Sequence, residues 1–552
     1  MEKKIQLGIL LNSDTIPYWV WEMLRAIKDS EYAEVNLLIY KMPEVQKQSG
    51  VKRYFKILKN LPFILLYKID KILYRVKNDP FAHRSIKSLF PEASNINVKT
   101  VGGKFTDRFP DEDIETIRGY NLDVIFRVGF RILKGDILNV ARYGVWSYHH
   151  GDNKINRGMP ATFWEFVNKE IVTGTILQVL SEELDNGKII YKKFARTHPN
   201  SVSTSMYNTY WGSMNMFPRA LKYLYYNGEE SFYQLVNKNN KSIDFYSSGL
   251  YKMPRFYKSL GLLLTAIIRF FRVKIRARFK TSKWNLLYKF TDSFNGELRR
   301  YNVFNPPKNK FWADPFVIND GENHYIFFEE QETNKKKAHI SLVTINRQTK
   351  TFSGIERVLD RPYHLSYPFV FKSEGQYYMV PETKQNKTIE LYQATQFPLK
   401  WELKVTLLKN INAVDSTLFY YDNKWWLFCG VTESDLIQNT DELHIFYATS
   451  LESKEWTPHR ANPVIADCRY ARPAGRIFER DGKIYRPSQD CSINYGYAIN
   501  FNRIIRLTTD EYEEVPEDKI YPRWHNNMIG THTFNFEEGI QVLDSCRLVS
   551  KF

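Results

Sequence analysis

Apolar residues in the first third of the chain follow two alternating rhythms. Residues 4–12 are a continuous apolar run that predicts a buried strand, Trp19 to Ile27 takes helical spacing, and Glu34 to Tyr40 returns to a strand. Val98 to Val101 and Val124 to Val128 predict further strands. Asp111 to Arg118 predicts a helix, and Lys134 to Val140 a helical turn before Gly144-Val145-Trp146-Ser147. Strands alternating with helices predict a Rossmann-like α/β domain with a parallel sheet, whose ligands meet the carboxyl ends of the strands. Residues 51–78 break this alternation. Leu58, Leu61, Leu65, Ile69 and Ile72 recur there at helical spacing, which predicts an inserted helix.

After about residue 283 the pattern becomes all-β. Short aromatic and β-branched runs recur between polar turns, and each unit opens on a similar step. The steps are Asp314-Pro315-Phe316, Tyr367-Pro368-Phe369, Asp415-Ser416-Thr417, Arg472-Pro473-Ala474 and Thr531-His532-Thr533, spaced 53, 48, 57 and 59 residues apart. A period near 50 with several strands per unit predicts a β-propeller of five blades, with Trp284–Tyr288 supplying a strand that closes the ring. The domains expected are 1–225, with a basic helical insertion at about 51–80; a basic, partly apolar helical linker at 226–283; and the propeller at 284–552.

Charge changes the picture in one place. The net charge is +17, yet residues 1–300 carry +20 and the rest −3. Residues 51–80 hold 8 basic and 2 acidic residues, and residues 251–280 hold 9 basic and none acidic. Two basic stretches mixed with apolar residues suit an anionic membrane surface, or an interdomain helix, better than nucleic acid. The apolar run Leu260–Ile268 is too short to span a bilayer. Cys429, Cys468, Cys491 and Cys546 show no disulfide or zinc spacing and read as core thiols. With residues 4–12 read as a first strand and not as a signal peptide, the expected location is cytoplasmic, on the inner face of a membrane where the basic stretches engage it.

The candidate chemistry lies in two places. His149 follows a strand, Arg157-Gly158 follows a polar loop, and a second strand leads to Leu184-Asp185-Asn186-Gly187. This puts His149 and Asp185 at strand ends, where a carboxylate can orient an imidazole base. In the propeller, Asp314, Glu382, Asp415 and Asp490 would converge on the central funnel. There they would cap blade starts, bind sugar hydroxyls, or serve as acid and base in glycoside hydrolysis.

Ser147-x-His149, Arg157-Gly158 and Leu184-Asp185-Asn186-Gly187, in that order, resemble the formyltransferase family over about residues 1–225. That resemblance implies formyl transfer from 10-formyltetrahydrofolate to an amine. His149 would assist deprotonation, Asp185 would support His149, and Ser147 stands where the family's Asn donates to the oxyanion. Val128, Gly129, Arg157 and Gly158 would lie along the folate pocket. The blade steps, together with Pro381-Glu382-Thr383 and Arg486-Pro487-Ser488-Gln489-Asp490, resemble the propeller of plant glucosamine inositolphosphorylceramide transferases. More distantly they resemble five-bladed glycoside hydrolases and sucrases. Together these imply formylation of an amino sugar, free or nucleotide-linked, in surface-polysaccharide or glycolipid synthesis. The alternative is a glycan-binding or glycoside-processing propeller with a non-formylating first domain. No metal and no nucleic acid partner is expected.

Overall fold

A computed structural model describes residues 3–43, 50–103, 105–155, 157–183, 186–241, 250–291, 300–437, 441–524 and 527–551. The chain divides into two compact units, Met1–Phe271 and Arg272–Phe552.

The first unit is built on a seven-stranded sheet. Its main elements are β1 (Ile5–Leu11), α1 (Tyr18–Lys28), β2 (Ala33–Lys41), α2 (Gly50–Leu73), β3 (Ser94–Val98), α3 (Asp111–Arg118), β4 (Val124–Arg127), β5 (Val145–His149), α4 (Phe163–Asn168), β6 (Val172–Val179), β7 (Lys188–Arg196), α5 (Val202–Ser213), α6 (Met216–Asn239) and the first two-thirds of α7 (Phe256–Phe279), whose last turns belong to the second unit. The strand order is β7-β6-β5-β4-β1-β2-β3. The five strands β1 to β5 pair in parallel, and β6 and β7 extend the edge antiparallel. Every residue of β1 is buried, as a strand covered on both faces requires. The order reverses between β1 and β4, so the carboxyl ends of these two strands frame the crevice where such sheets take ligands.

Residues 51–78 contain the expected helix, α2, with Pro62 inside it. The strand expected at Val98–Val101 lies earlier, at β3. Val101 makes only an isolated bridge with Arg108, because the chain turns through Gly102 and Gly103 and no longer follows β2. The turn at Lys134–Val140 is a single 3-10 turn, Asp136–Asn139.

The second unit is a propeller of five antiparallel blades. Blade I runs Lys310–Asn319, Asn323–Glu332, Ala338–Asn346, Glu356–Leu359; blade II starts at Ser366–Ser373, blade III at Asn412–Tyr421 and blade IV at Phe478–Arg480. Blade V joins Phe534–Glu537 and Ile540–Ser550 to Lys280–Phe290 and Asn302–Phe304. Both ends of the unit thus share one sheet, and the ring is closed by eleven consecutive strand partners from Lys280/Ser550 to Phe290/Ile540. Apolar clusters fill the spaces between successive blades, for example Leu286, Trp312, Val317 and Val542 between V and I.

The repeated opening steps have a structural cause. The inner strands of blades I, II and III each carry a bulge at the same place, between Ala313 and Phe316, Ser366 and Phe369, and Val414 and Thr417. Asp314, Tyr367 and Asp415 sit in these bulges with φ of +52°, +44° and +53°. A left-handed residue at a bulge swings its side chain out of the ladder, here toward the axis. That conformation costs on the order of 1–3 kcal/mol for a non-glycine residue and persists where surrounding contacts hold it.

Candidate functional site

In the first unit the candidate residues lie along the carboxyl ends of β4 and β5. Phe126 pairs with Trp146, so the next residues, Arg127 and Ser147, are neighbours on the opposite face. Trp146 and Tyr148 point to the helical layer, where Trp146 stacks on Phe232 at 5.3 Å and the Tyr148 hydroxyl donates to Ser213 O at 2.8 Å. Ser147 and His149 therefore face the other way. Arg127 Nη1 donates to Ser147 Oγ at 3.2 Å, and its Nη2 donates to Phe130 O at 3.0 Å. Burial holds the Arg127 guanidinium below its ordinary pKa, partly offset by Asp107. Ser147 is buried and His149 half-buried.

The N–H groups of Val128 and Gly129 both donate to Leu10 O, at 3.1 and 2.9 Å, and extend β4 along β1. A Cβ on Gly129 would lie 2.6 Å from the Asn12 nitrogen, so glycine is needed for that approach. Arg157 and Gly158 form a two-residue parallel ladder with Leu250 and Tyr251. Gly158 has a φ of +101°, and a Cβ there would meet Tyr251 O at 2.2 Å. This glycine is required by the chain that crosses over it. Asp185, with Leu184, lies outside the described residues.

His150 is set apart from His149. Its ring stacks on Tyr210 at 3.8 Å and on Tyr148 at 5.5 Å, with Trp19 edge-on at 5.2 Å. Burial, helped by His149, pushes its pKa down to about 3, so it stays neutral. Asp152 is buried, and its carboxylate pairs with Lys192 at 2.9 Å while accepting the Lys154 N–H at 3.0 Å. Arg127 is the residue here that sequence reasoning missed. Its signal was a lone cation ending the apolar run Val124-Ile125-Phe126.

In the propeller, hydrogen bonds link all five blades across the axis. Asp314 accepts from Thr533 Oγ1 of blade V at 2.6 Å and from the Tyr367 N–H of blade II at 3.2 Å. The Tyr367 hydroxyl lies 2.8 Å from Thr417 Oγ1 of blade III and accepts the Gly475 N–H of blade IV at 2.7 Å. Asp415 receives a bidentate pair from Arg472, at 2.5 and 3.2 Å, and a third bond from Gln489 at 2.8 Å. Arg472 also lies 3.8 Å from Glu382 and over the Tyr495 ring at 4.9 Å. Asp490 is turned elsewhere. Gln489 faces the axis, so the next side chain along the strand faces away, and Asp490 pairs with Lys519.

Three residues that were not among the candidate site residues join this cluster. Asp544 holds His532 Nδ1 at 2.5 Å, and the other ring nitrogen faces Asp314 at 3.7 Å. Burial opposes the charge on His532, but Asp544 and Asp314 outweigh it and raise its pKa. Glu329 is buried beside His364 at 3.3 Å. Burial first, and the neighbouring carboxylates second, raise Glu329 and Glu382, and burial likewise raises Asp314 against the pull of His532. Ligand atoms of Asp314, His532 and Asp544 lie within 4.8 Å of one another. His532 thus stands between the carboxylates of Asp544 and Asp314. The four cysteines are buried free thiols whose pKa values burial raises, which makes them poor nucleophiles.

Comparison with known proteins divides along the same line. Residues 303–538 match the family model of the N-terminal region of glucosamine inositolphosphorylceramide transferase 1. The chain is 39% identical over 212 residues to that transferase of Oryza sativa subsp. japonica, covering 38% of this chain and 28% of the relative. It therefore spans little more than a quarter of that relative's length. It is 31% identical over 97 residues to a methionyl-tRNA formyltransferase of Agathobacter rectalis, covering 17% of this chain and 31% of the relative. Among solved structures, glycinamide ribonucleotide transformylase 1 of Symbiobacterium toebii aligns with a TM-score of 0.28 at 13% identity, covering 41% of this chain and 90% of that one.

Proposed function

We propose that this chain transfers the formyl group of 10-formyltetrahydrofolate to the amino group of an amino sugar, and that the propeller holds the saccharide. The observation that carries the reading is the group at the ends of β4 and β5. A half-buried imidazole, His149, stands next in line to a buried serine that the half-buried Arg127 touches. The similarity to a methionyl-tRNA formyltransferase supports the chemistry. The glucosamine in the name of the propeller's relatives supports the acceptor class.

In this reading the amine nitrogen attacks the formyl carbon. The new N–C bond forms, the bond from that carbon to the folate nitrogen breaks, and tetrahydrofolate leaves. His149 takes the proton that the amine loses and passes it to the departing folate nitrogen, and Asp185 has the supporting role that the resemblance gives it. Arg127 compensates for the family's missing Asn. Its guanidinium donates to Ser147 Oγ and polarises that hydroxyl, which is the group that would donate to the oxygen on which charge develops. The backbone N–H groups of Val128 and Gly129 are engaged by Leu10 O. Gly158, crossed by Tyr251, shapes the adjoining loop, and with Arg157 it stays in the proposed folate pocket.

The test is acceptor-dependent loss of the donor. Wild type turns over 10-formyltetrahydrofolate when an amino sugar is supplied, and His149→Ala lowers that rate by about two orders of magnitude or more. Equal rates in the two proteins overturn the assignment. One observation favours a second reading. The Ser147 hydroxyl lies 3.3 Å from Tyr148 O as well as being held by Arg127. In a non-formylating domain this contact would be purely structural, and the propeller alone would bind or process the glycan. Saccharide binding without any folate binding selects that reading.

A further inference from the structure

We propose that α2 and α7 form a docking surface for an anionic lipid bilayer. Both helices pack one face onto the same cluster of the first unit. Leu66 of α2 and Leu263 and Ala266 of α7 are buried there against Phe163, Trp164 and Val202, and the rings of Tyr74 and Phe270 meet at 5.5 Å. Each helix leaves another apolar face in solvent. On α7 the exposed apolar residues include Tyr257, Leu260, Leu264, Ile268, Phe271 and Ile275. Their spacing of three and four keeps them in one stripe, about 140° round the axis from the buried face. On α2, Leu58, Leu61, Leu65 and Ile72 are exposed, Ile72 at 73%. An ordinary surface helix has one apolar face, so a second one on each of two neighbouring helices calls for an occupant.

Charge identifies the occupant. Arg272, Lys274, Arg276 and Arg278 flank the α7 stripe, and no acidic residue occurs in 251–280. The two acids of 51–80 are both withdrawn. Asp70 is buried, accepting from Ser201 Oγ at 2.7 Å and the Ser203 N–H at 2.9 Å, and Asp79 is paired with Lys71 at 2.6 Å. The surface therefore offers apolar side chains and positive charge alone. A second copy of the chain would bring like charge against like, and a nucleic acid would leave the apolar stripes in water. An anionic bilayer matches both features: the stripe enters the acyl boundary and the basic groups meet the headgroups. Among the described residues no helix is long and apolar enough to cross a membrane, so these helices lie along the surface.

Flotation of the full chain with vesicles tests this. The chain is expected to float with phosphatidylcholine–phosphatidylglycerol vesicles, much less with phosphatidylcholine alone, and to detach in part as salt rises. Leu264→Gln, Ile268→Gln and Phe271→Gln combined are expected to lower the partition coefficient at least about tenfold with an unchanged melting temperature. Replacing Arg272, Lys274, Arg276 and Arg278 by Gln is expected to erase the preference for the anionic vesicles. Wild type that floats with neither vesicle overturns the proposal. So does binding indifferent to phosphatidylglycerol and to the charge variant. A dimer in sedimentation that the triple variant dissolves also overturns it, by showing that a second copy covers the stripe.

Discussion

Replacing Arg472 by Met removes the cation at the axis of the propeller. Arg472 is buried and contributes two bonds to Asp415, at 2.5 and 3.2 Å, a contact to Glu382 at 3.8 Å, and a bond to the Tyr495 hydroxyl at 3.3 Å. Methionine fills similar volume, so the packing loss is small and the electrostatic loss dominates. Asp415 keeps only Gln489 among these side-chain donors. Breaking a buried ion pair from one side costs about 3–5 kcal/mol, because the remaining charge has no compensation. At about 2–4 °C per kcal/mol for a domain of this size, the propeller transition should fall by about 6–20 °C in calorimetry. Adding Asp415→Asn should recover most of the loss, since it removes the stranded charge, and the pair should be strongly non-additive. A single variant within about 0.5 kcal/mol of wild type would refute the reasoning, as it would mean that water already solvates this cluster.

Three further outcomes follow from the two sites. Burial and neighbouring carboxylates push Glu382 up to about 8, so the folded state keeps a proton that the unfolded chain releases from about pH 4.5 upward. Its contribution is therefore present at low pH and lost as pH rises through this window, and Glu382→Gln should gain on wild type by up to about 1.4 kcal/mol per pH unit in urea titrations; a pH-independent difference would reject the assignment. Gly158→Ala should loosen the Arg157–Gly158 ladder with Leu250–Tyr251 and destabilise the first unit by about 1–3 kcal/mol, read from its own unfolding transition, whereas an unchanged transition would show that the close approach of Tyr251 does not require glycine. His150→Phe keeps the stack on Tyr210 and loses only a 3.4 Å contact to Ser213, so formyl transfer should persist within a few-fold, and a loss as large as that of His149→Ala would make His150 a catalytic residue.

The propeller was legible in the sequence because its repeat is a conformational requirement. The bulge that turns Asp314, Tyr367 and Asp415 toward the axis needs the same kind of step in blades I, II and III, and that step recurs about every 50 residues there. The buried strand β1 and the helix α2 were legible from spacing alone. Less legible was which side chain of a strand end reaches the centre. Alternation has a period of two, so a shift of one residue exchanges Gln489 for Asp490, and composition favoured the acid. Glu329 lies in the acidic run Glu329-Glu330-Gln331-Glu332, where nothing local distinguishes the residue that faces His364 from the one that faces His339. His532 and Asp544 come together only across a pair of strands, and Arg127 gains its meaning only from the register of β4 on β5.

The central claim is that a one-carbon group passes from folate to a sugar nitrogen, and the fate of the formyl carbon tests it most directly. With 10-formyltetrahydrofolate carrying 13C in the formyl group, wild type and an amino sugar should yield a labelled formamide carbon bonded to the sugar nitrogen, visible by NMR and as a matching gain in mass. The signal should be absent when the acceptor is omitted and in His149→Ala. Label appearing only as free formate, or a donor left intact across amino-sugar acceptors, would contradict the account.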